Sequence, residues 1–131
     1  MVEIVERPLR WDCKENGCYQ ERCAPRLEWF SDCFPGRISM GDVDGCVEIK
    51  GKFLWFEWKS VGGKLQRSQE IMYEQLMSKG DDFTVFVVSG NSKTMEVDSY
   101  EVFHAGQRHY YEGNIDNLKA KITSWSEWAK K

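Results

Sequence analysis

Residues 41–60 read GDVDGCVEIKGKFLWFEWKS, and the fold turns on whether this stretch is a hairpin. Its apolar residues are largely β-branched or aromatic, types that suit a pleated surface, and Lys50-Gly51 falls between two strand-like runs, ISMGDVDGCVEI and FLWFEWK. A two-residue turn there puts Ile49 opposite Lys52 and, in the same register, Asp44 opposite Glu57. A three-residue turn would instead place Asp44 opposite Trp58. Side chains alternate between the two faces of a strand. Leu54, Phe56 and Trp58 then share an apolar face with Val43, Val47 and Ile49, while Glu57 and Lys59 lie on the other face with Phe53 and Trp55.

A carboxylate withdrawn from water is costly unless something neutralises it. In the two-residue register the Asp44 and Glu57 Cβ atoms stand about 4.5–5.5 Å apart, so both stay ionised only with a cation between them. Two carboxylates and a nearby backbone carbonyl form a hard, oxygen-rich site of the kind Mg²⁺ or Mn²⁺ takes. Lys59, one pleat along, can stabilise charge developing on a phosphoryl group or position a water. The plainer reading is a solvated sheet face carrying mixed charges.

Downstream, residues 65–79 have helical character and stop before Gly80, a suitable C-cap residue. The apolar stripe is Leu65, Met72, Tyr73 and Leu76, with Ile71 and Met77 off it, and Gln69 falls on the same stripe. An inward glutamine needs hydrogen-bond partners, since an unsatisfied buried amide costs about 1–3 kcal/mol; a water or carboxylate of the strand site would serve, and a solvent-facing position is the alternative. FTVFVVSG reads as a short buried strand, TMEVDSYEVFHAG as a further extended segment, and the tail as a helix with Ile115, Leu118, Ile122, Trp125 and Ala129 on one stripe. Upstream, Pro25 can open a short helix in PRLEWFSDC. The expected class is α/β or α+β, a central mixed sheet flanked by helices.

At 131 residues, 41% hydrophobic and 14% aromatic, the chain has the size and composition of one folded domain. Its segments are expected to be a cysteine-rich N-terminus (1–36), a core (37–90) and a C-terminal strand and helix (91–131). A net charge of −3 offers no global attraction for nucleic acid, leaving only local basic patches. No apolar run approaches the ~20 residues of a membrane span, and MVEIVERPLR has no signal-peptide core. The expectation is a cytoplasmic protein of a bacterial or phage-infected cell, with reduced cysteines. Cys13, Cys18, Cys23 and Cys33 are either free thiols or ligands of a zinc ion or iron–sulfur cluster. Cys46 reads as a packing residue, His104 and His109 as surface or internally satisfied, and Trp125 and Trp128 as helix packing.

GDVDG, FEWK, GGKLQRSQEIMYEQLMSKG and FTVFVVSG together resemble the PD-(D/E)xK nuclease superfamily, most closely its VRR-NUC-type and phage-encoded members, over residues 41–90. The resemblance implies a restriction-endonuclease-like core and Mg²⁺- or Mn²⁺-dependent hydrolysis of DNA. It also implies that Asp44, Glu57 and the Trp58 carbonyl are metal ligands, that Lys59 orients or activates water, and that Gln69 is the accessory helix residue. Glu28 would be the first-helix glutamate of such enzymes. The proline of the motif is Val43 here, and Asp42 shares Asp44's face as a rival ligand. Lys50, Lys52, Lys64 and Arg67, with Arg22, Arg26 and Arg37 upstream, are the expected phosphate contacts. The expected function is a DNA endonuclease acting on junction, flap or duplex DNA, as a homodimer where both strands are cut, with no membrane or organic cofactor. The alternative is a catalytically inactive module of the same fold that contacts DNA or protein.

Overall fold

Lys50 and Gly51 both adopt positive φ, 49° and 83°, the backbone that a two-residue hairpin turn requires. In the computed structural model, which describes residues 26–131, they join strands β1 (Gly45–Ile49) and β2 (Lys52–Lys59). The antiparallel ladder runs from Ile49 opposite Lys52 to Gly45 opposite Phe56, the register of the two-residue turn. Helix α1 (Arg67–Met77) then carries the chain to β3 (Phe83–Asn91), which pairs parallel with β2. Strands β4 (Glu96–His104) and β5 (Gln107–Glu112) add on antiparallel, and α2 (Ile115–Ala129) closes the described chain. The result is an α+β arrangement built on a five-stranded mixed sheet in the order β1-β2-β3-β4-β5.

The chain divides into two compact units, Met1–Gly41 and Asp42–Lys131. In the first, the expected helix in PRLEWFSDC is a tighter 3-10 helix, Leu27–Cys33. The second holds the whole sheet with α1 and α2, so residues 42–90 and 91–131 share one body: β4 lies between β3 and β5. Among the described residues no helix is long and apolar enough to cross a membrane.

Strand alternation separates two cores. On one face Leu54, Phe86, Val88, Tyr100 and Val102 pack with Leu118, Trp125 and Ala129 of α2, and Ile115 and Ile122 join them partly buried, as the stripe predicted. Trp128 packs against this cluster, and His104 is internally satisfied beside it. Trp125 Nε1 donates to Thr84 Oγ1 at 3.2 Å, and that hydroxyl lies 2.7 Å from His104 Nδ1. An indole N–H can only donate, so the Thr84 hydrogen is free for Nδ1 and the imidazole proton is assigned to Nε2. Burial accordingly lowers the His104 pKa.

The other face packs Val85 and Phe103 with Tyr73 and Met77 of α1, with Trp55, Leu65, Leu76 and Val87 partly buried. Here the expected stripe is corrected. Met77 is in and Met72 is 40% exposed, because apolar residues at 71–73 and 76–77 allow overlapping stripes and the helix turns to bury the line of Gln69, Tyr73 and Met77. Two further expectations change. The apolar hairpin face is incomplete, since Val43 and Val47 on the edge side are 40% and 45% exposed, and residues 38–44 form no strand. QRHYYE forms a strand of its own, reached through positive-φ Ala105 and Gly106.

Gly90 marks a register shift between β3 and β4. A Cβ there would meet the Glu96 carbonyl oxygen and the Trp58 ring, and Trp58 Nε1 donates to the Gly90 carbonyl at 3.1 Å. Gly90 thus lets the two chains close while anchoring Trp58. Gly90→Ala should cost about 1–3 kcal/mol, the usual toll of overpacking, and lower the thermal midpoint by several degrees in differential scanning calorimetry. An unchanged midpoint would show that β4 yields freely.

Candidate functional site

The hairpin register brings Asp44 level with Glu57, one step beyond the last ladder pair. Asp44 is then held by a backbone donor: Trp58 N–H gives its hydrogen to Oδ2 at 2.6 Å. With the indole tied to Gly90, Trp58 is fixed by both its side chain and its amide.

Glu57 is 6% exposed. Its Oε1 accepts from Gln69 Nε2 at 3.2 Å and lies 3.3 Å from Lys59 Nζ. Lys59 Nζ also donates to Gln69 Oε1 at 2.9 Å, closing a triangle of carboxylate, ammonium and amide. Gln69 faces inward because it is the third residue of α1, and its Oε1 also accepts from the amide of the N-cap residue Gln66 at 3.2 Å. A glutamine at this position commonly reaches back to the N-cap amide, so one side chain both caps the helix and braces the site.

Glu57 Oε2 is buried without a hydrogen-bond partner among the described residues. Burial, then the charge of Asp44, raises the Glu57 pKa above the usual carboxylate range, against the opposing pull of Lys59 and Gln69. Tyr73, four residues after Gln69 on the same helix face, is 4% exposed. Burial, then the charges of Glu57 and Asp44, the approach of its hydroxyl to the Glu57 carboxylate and the charge of Asp42 hold its phenol well above its ordinary pKa. Sequence reasoning put Tyr73 on the apolar stripe without a role; its spacing from Gln69 was the available signal. Asp42 is exposed on the same side, near enough for its charge to reach Tyr73.

Two carboxylates against one ammonium leave an excess negative charge beside an orphaned oxygen, and the donors are all hard oxygens. This set fits Mg²⁺ or Mn²⁺, ions that keep several waters and need few protein ligands. Asp44, Glu57 and the Trp58 carbonyl would hold it. Among the described residues no group of three or more His, Cys, Asp or Glu side chains forms a ready-made metal cluster. Cys13, Cys18 and Cys23 lie outside the described residues; Cys33 is exposed, 4.0 Å from Asp32 Oδ1. Glu28 belongs to the first unit, where its carbonyl accepts the Ser31 hydroxyl at 2.7 Å. Cys46 is exposed, against the expectation that it packs.

The expected basic residues do not gather in one place. Lys64 lines a groove with Lys59. Arg67 is engaged by Glu70 at 3.1 Å and Glu74 at 3.5 Å. Lys52 starts β2 at the far end from Lys59, about 23 Å away at the rise of a strand, with Lys50 beyond it in the turn. Lys52 pairs with Asp82 at 3.0 Å and Asp81 at 3.7 Å and lies over the Trp128 ring, on the α2 face. Lys50 and Lys52 are therefore removed from the site, because the strand that carries Glu57 also carries them away from it. In comparison with known proteins, no family model, no curated protein and no solved structure matches the chain.

A carboxyl whose folded pKa is raised binds its proton more tightly in the native state. Stability therefore falls as pH climbs from the ordinary carboxylate range through the raised value. In metal-free buffer at neutral pH, Glu57→Gln should melt higher than the native protein, and the gap should close on acidification toward pH 4. A lower midpoint for the variant at pH 7 would mean that Lys59 and Gln69 outweigh burial and Asp44.

Proposed function

We propose that the protein is a metal-dependent DNA endonuclease with a restriction-endonuclease-like core, hydrolysing phosphodiester bonds at the site formed by Asp44, Glu57, Lys59 and Gln69. One observation carries the reading: a nearly fully buried carboxylate whose second oxygen has no hydrogen-bond partner among the described residues, beside another carboxylate and braced by a lysine and a glutamine. A fold serving only to bind DNA or protein gains nothing from a carboxylate pair that Lys59 neutralises only in part, whereas a divalent cation would relieve it.

When bound, the metal supplies Lewis-acid polarisation of the phosphoryl group and lowers the pKa of a water. The chain's own residues do the rest. Asp44, fixed through its Oδ2, keeps Oδ1 for a ligand. Glu57, tied through Oε1, presents Oε2. Gln69 sets the position of the Lys59 ammonium, which stands where it can hold a water against phosphorus and stabilise charge on the non-bridging oxygens. Water oxygen bonds to phosphorus, the P–O ester bond breaks, and the water's proton ends on the leaving oxygen. One site per chain cuts one strand, so a homodimer is the form that would cut both strands of a duplex.

Metal-dependent cleavage of single-stranded, duplex, flapped and four-way DNA tests the reading. Activity with Mg²⁺ or Mn²⁺ that vanishes in chelator is expected. Lys59→Ala should lower turnover about a hundredfold or more, the effect of losing one electrostatic stabiliser. DNA affinity should change far less, since one phosphate contact among several is a small part of binding. Arginine should rescue poorly, being a planar fork in place of a compact ammonium. Equal cleavage by native protein and Lys59→Ala, or none by either on any of these substrates, would defeat the catalytic assignment.

A further inference from the structure

Helix α1 covers only part of its face of the sheet. Beyond its first turn a groove of about 410 Å³ opens, with Lys59 at one end and Tyr110 of β5 among its walls. We infer that this groove holds one unpaired nucleotide of the DNA strand next to the scissile phosphate, with its base against Tyr110. The inference rests on the nuclease reading above and specifies the substrate strand for it.

The groove is charged asymmetrically. Lys59 belongs both to the groove and to the Glu57–Gln69 triangle, so a strand entering the groove passes the hydrolytic residues directly. Lys64, on the connection between β2 and α1, is exposed and makes no ion pair among the described residues. Lys59 is already engaged by Glu57 at 3.3 Å and by Gln69, so Lys64 is the ammonium that draws a phosphate to this end. The other side is built from Glu70, Glu101 and Arg108: Arg108 reaches Glu70 at 2.8 Å and Glu101 through two contacts of 3.1 Å, and Glu70 is shared with Arg67. These carboxylates and guanidiniums are spent on one another, leaving no free cation for a phosphate while offering acceptors and donors to a base edge. The asymmetry therefore orients a nucleotide, phosphate toward Lys59 and base toward β5.

Ser99, on the floor opposite Ser89, is 6% exposed, and its hydroxyl makes no hydrogen bond among the described residues. It is thus a polar group available to a ligand. Tyr110 is 62% exposed; opposite Glu101 in the ladder, it stands on the groove face with Arg108. An exposed aromatic ring beside a cationic track is the usual platform for stacking a single-stranded base. The volume matches a single nucleotide. About 410 Å³ lies near the low end of pockets that take one small ligand, room for one nucleotide.

The test uses the full chain and oligonucleotides carrying 2-aminopurine, either unpaired or within an intact duplex, in low-salt buffer with EDTA. The native protein should bind the unpaired probe at least about tenfold more tightly than the paired one and change its fluorescence. Tyr110→Ala should lose about tenfold on the unpaired probe, the scale of one base–aromatic stack, with no change on the duplex, while Tyr110→Phe keeps the affinity. With Mg²⁺, Tyr110→Ala should raise KM on the unpaired substrate and leave kcat in place. Equal binding of paired and unpaired probes, or an unpaired-probe affinity indifferent to Tyr110→Ala, overturns the inference whatever the cleavage result. Absence of all cleavage by the native protein would overturn the nuclease reading instead, and the EDTA binding comparison still decides the groove.

Discussion

A buried carboxylate with one oxygen left unpaired is the constraint around which this structure is arranged. Glu57 lies in the second strand of the sheet with its Oε2 buried and without a hydrogen-bond partner among the described residues. The surrounding elements explain how such a group is tolerated. The hairpin register sets Asp44 level with it, the Trp58 amide holds Asp44 in place, and the first turn of α1 delivers Gln69 to both Glu57 and Lys59. Neutralisation is incomplete, since burial and Asp44 still push the Glu57 proton affinity up. A site of this kind stores unfavourable free energy that a bound cation can release, a common arrangement where function competes with stability.

The two faces of the sheet divide the labour. The α2 face is almost wholly apolar and supplies a core from Leu54 through Trp125. That stability lets the α1 face be polar at one end. There an eleven-residue helix covers Phe103, Val85 and Val87 and stops short of Ser89, Ser99 and Tyr110. Trp58 connects the faces: its ring packs on the α2 side while its backbone amide fixes Asp44 on the other. Gly90, which leaves no room for a side chain, is what lets that ring seat.

The parts of this arrangement set by local rules were legible in the sequence. The Lys-Gly turn was legible with two possible registers, and positive φ at Lys50 and Gly51 with the Ile49–Lys52 pair selects the one that sets Asp44 level with Glu57. An amphipathic stripe running the length of the tail defined α2. Gln69 stood out because an amide on an apolar line demands partners. What escaped depended on longer-range packing. The rotation of α1 is chosen by where Tyr73 and Met77 meet Phe103 and Val85, and the apolar residues at 71–73 and 76–77 allow more than one solution. Strand β5 is an edge strand with no apolar alternation, recognisable only once Tyr111 stacks on Tyr100, 5.2 Å between ring centres. Lys52 looked like part of the basic neighbourhood because it is close in sequence, but strand geometry carries it to the far end and the α2 face.

Under the proposed function Glu57 Oε2 and Asp44 are held ready for a divalent cation. Crystals soaked in Mn²⁺ and measured at a wavelength where manganese scatters anomalously address it directly. The expected result is one strong peak about 2.0–2.4 Å from Glu57 Oε2 and Asp44 Oδ1, with the Trp58 carbonyl as a further ligand and waters completing the shell. A peak elsewhere on the molecule, with Glu57 Oε2 still uncoordinated at saturating Mn²⁺, would contradict it.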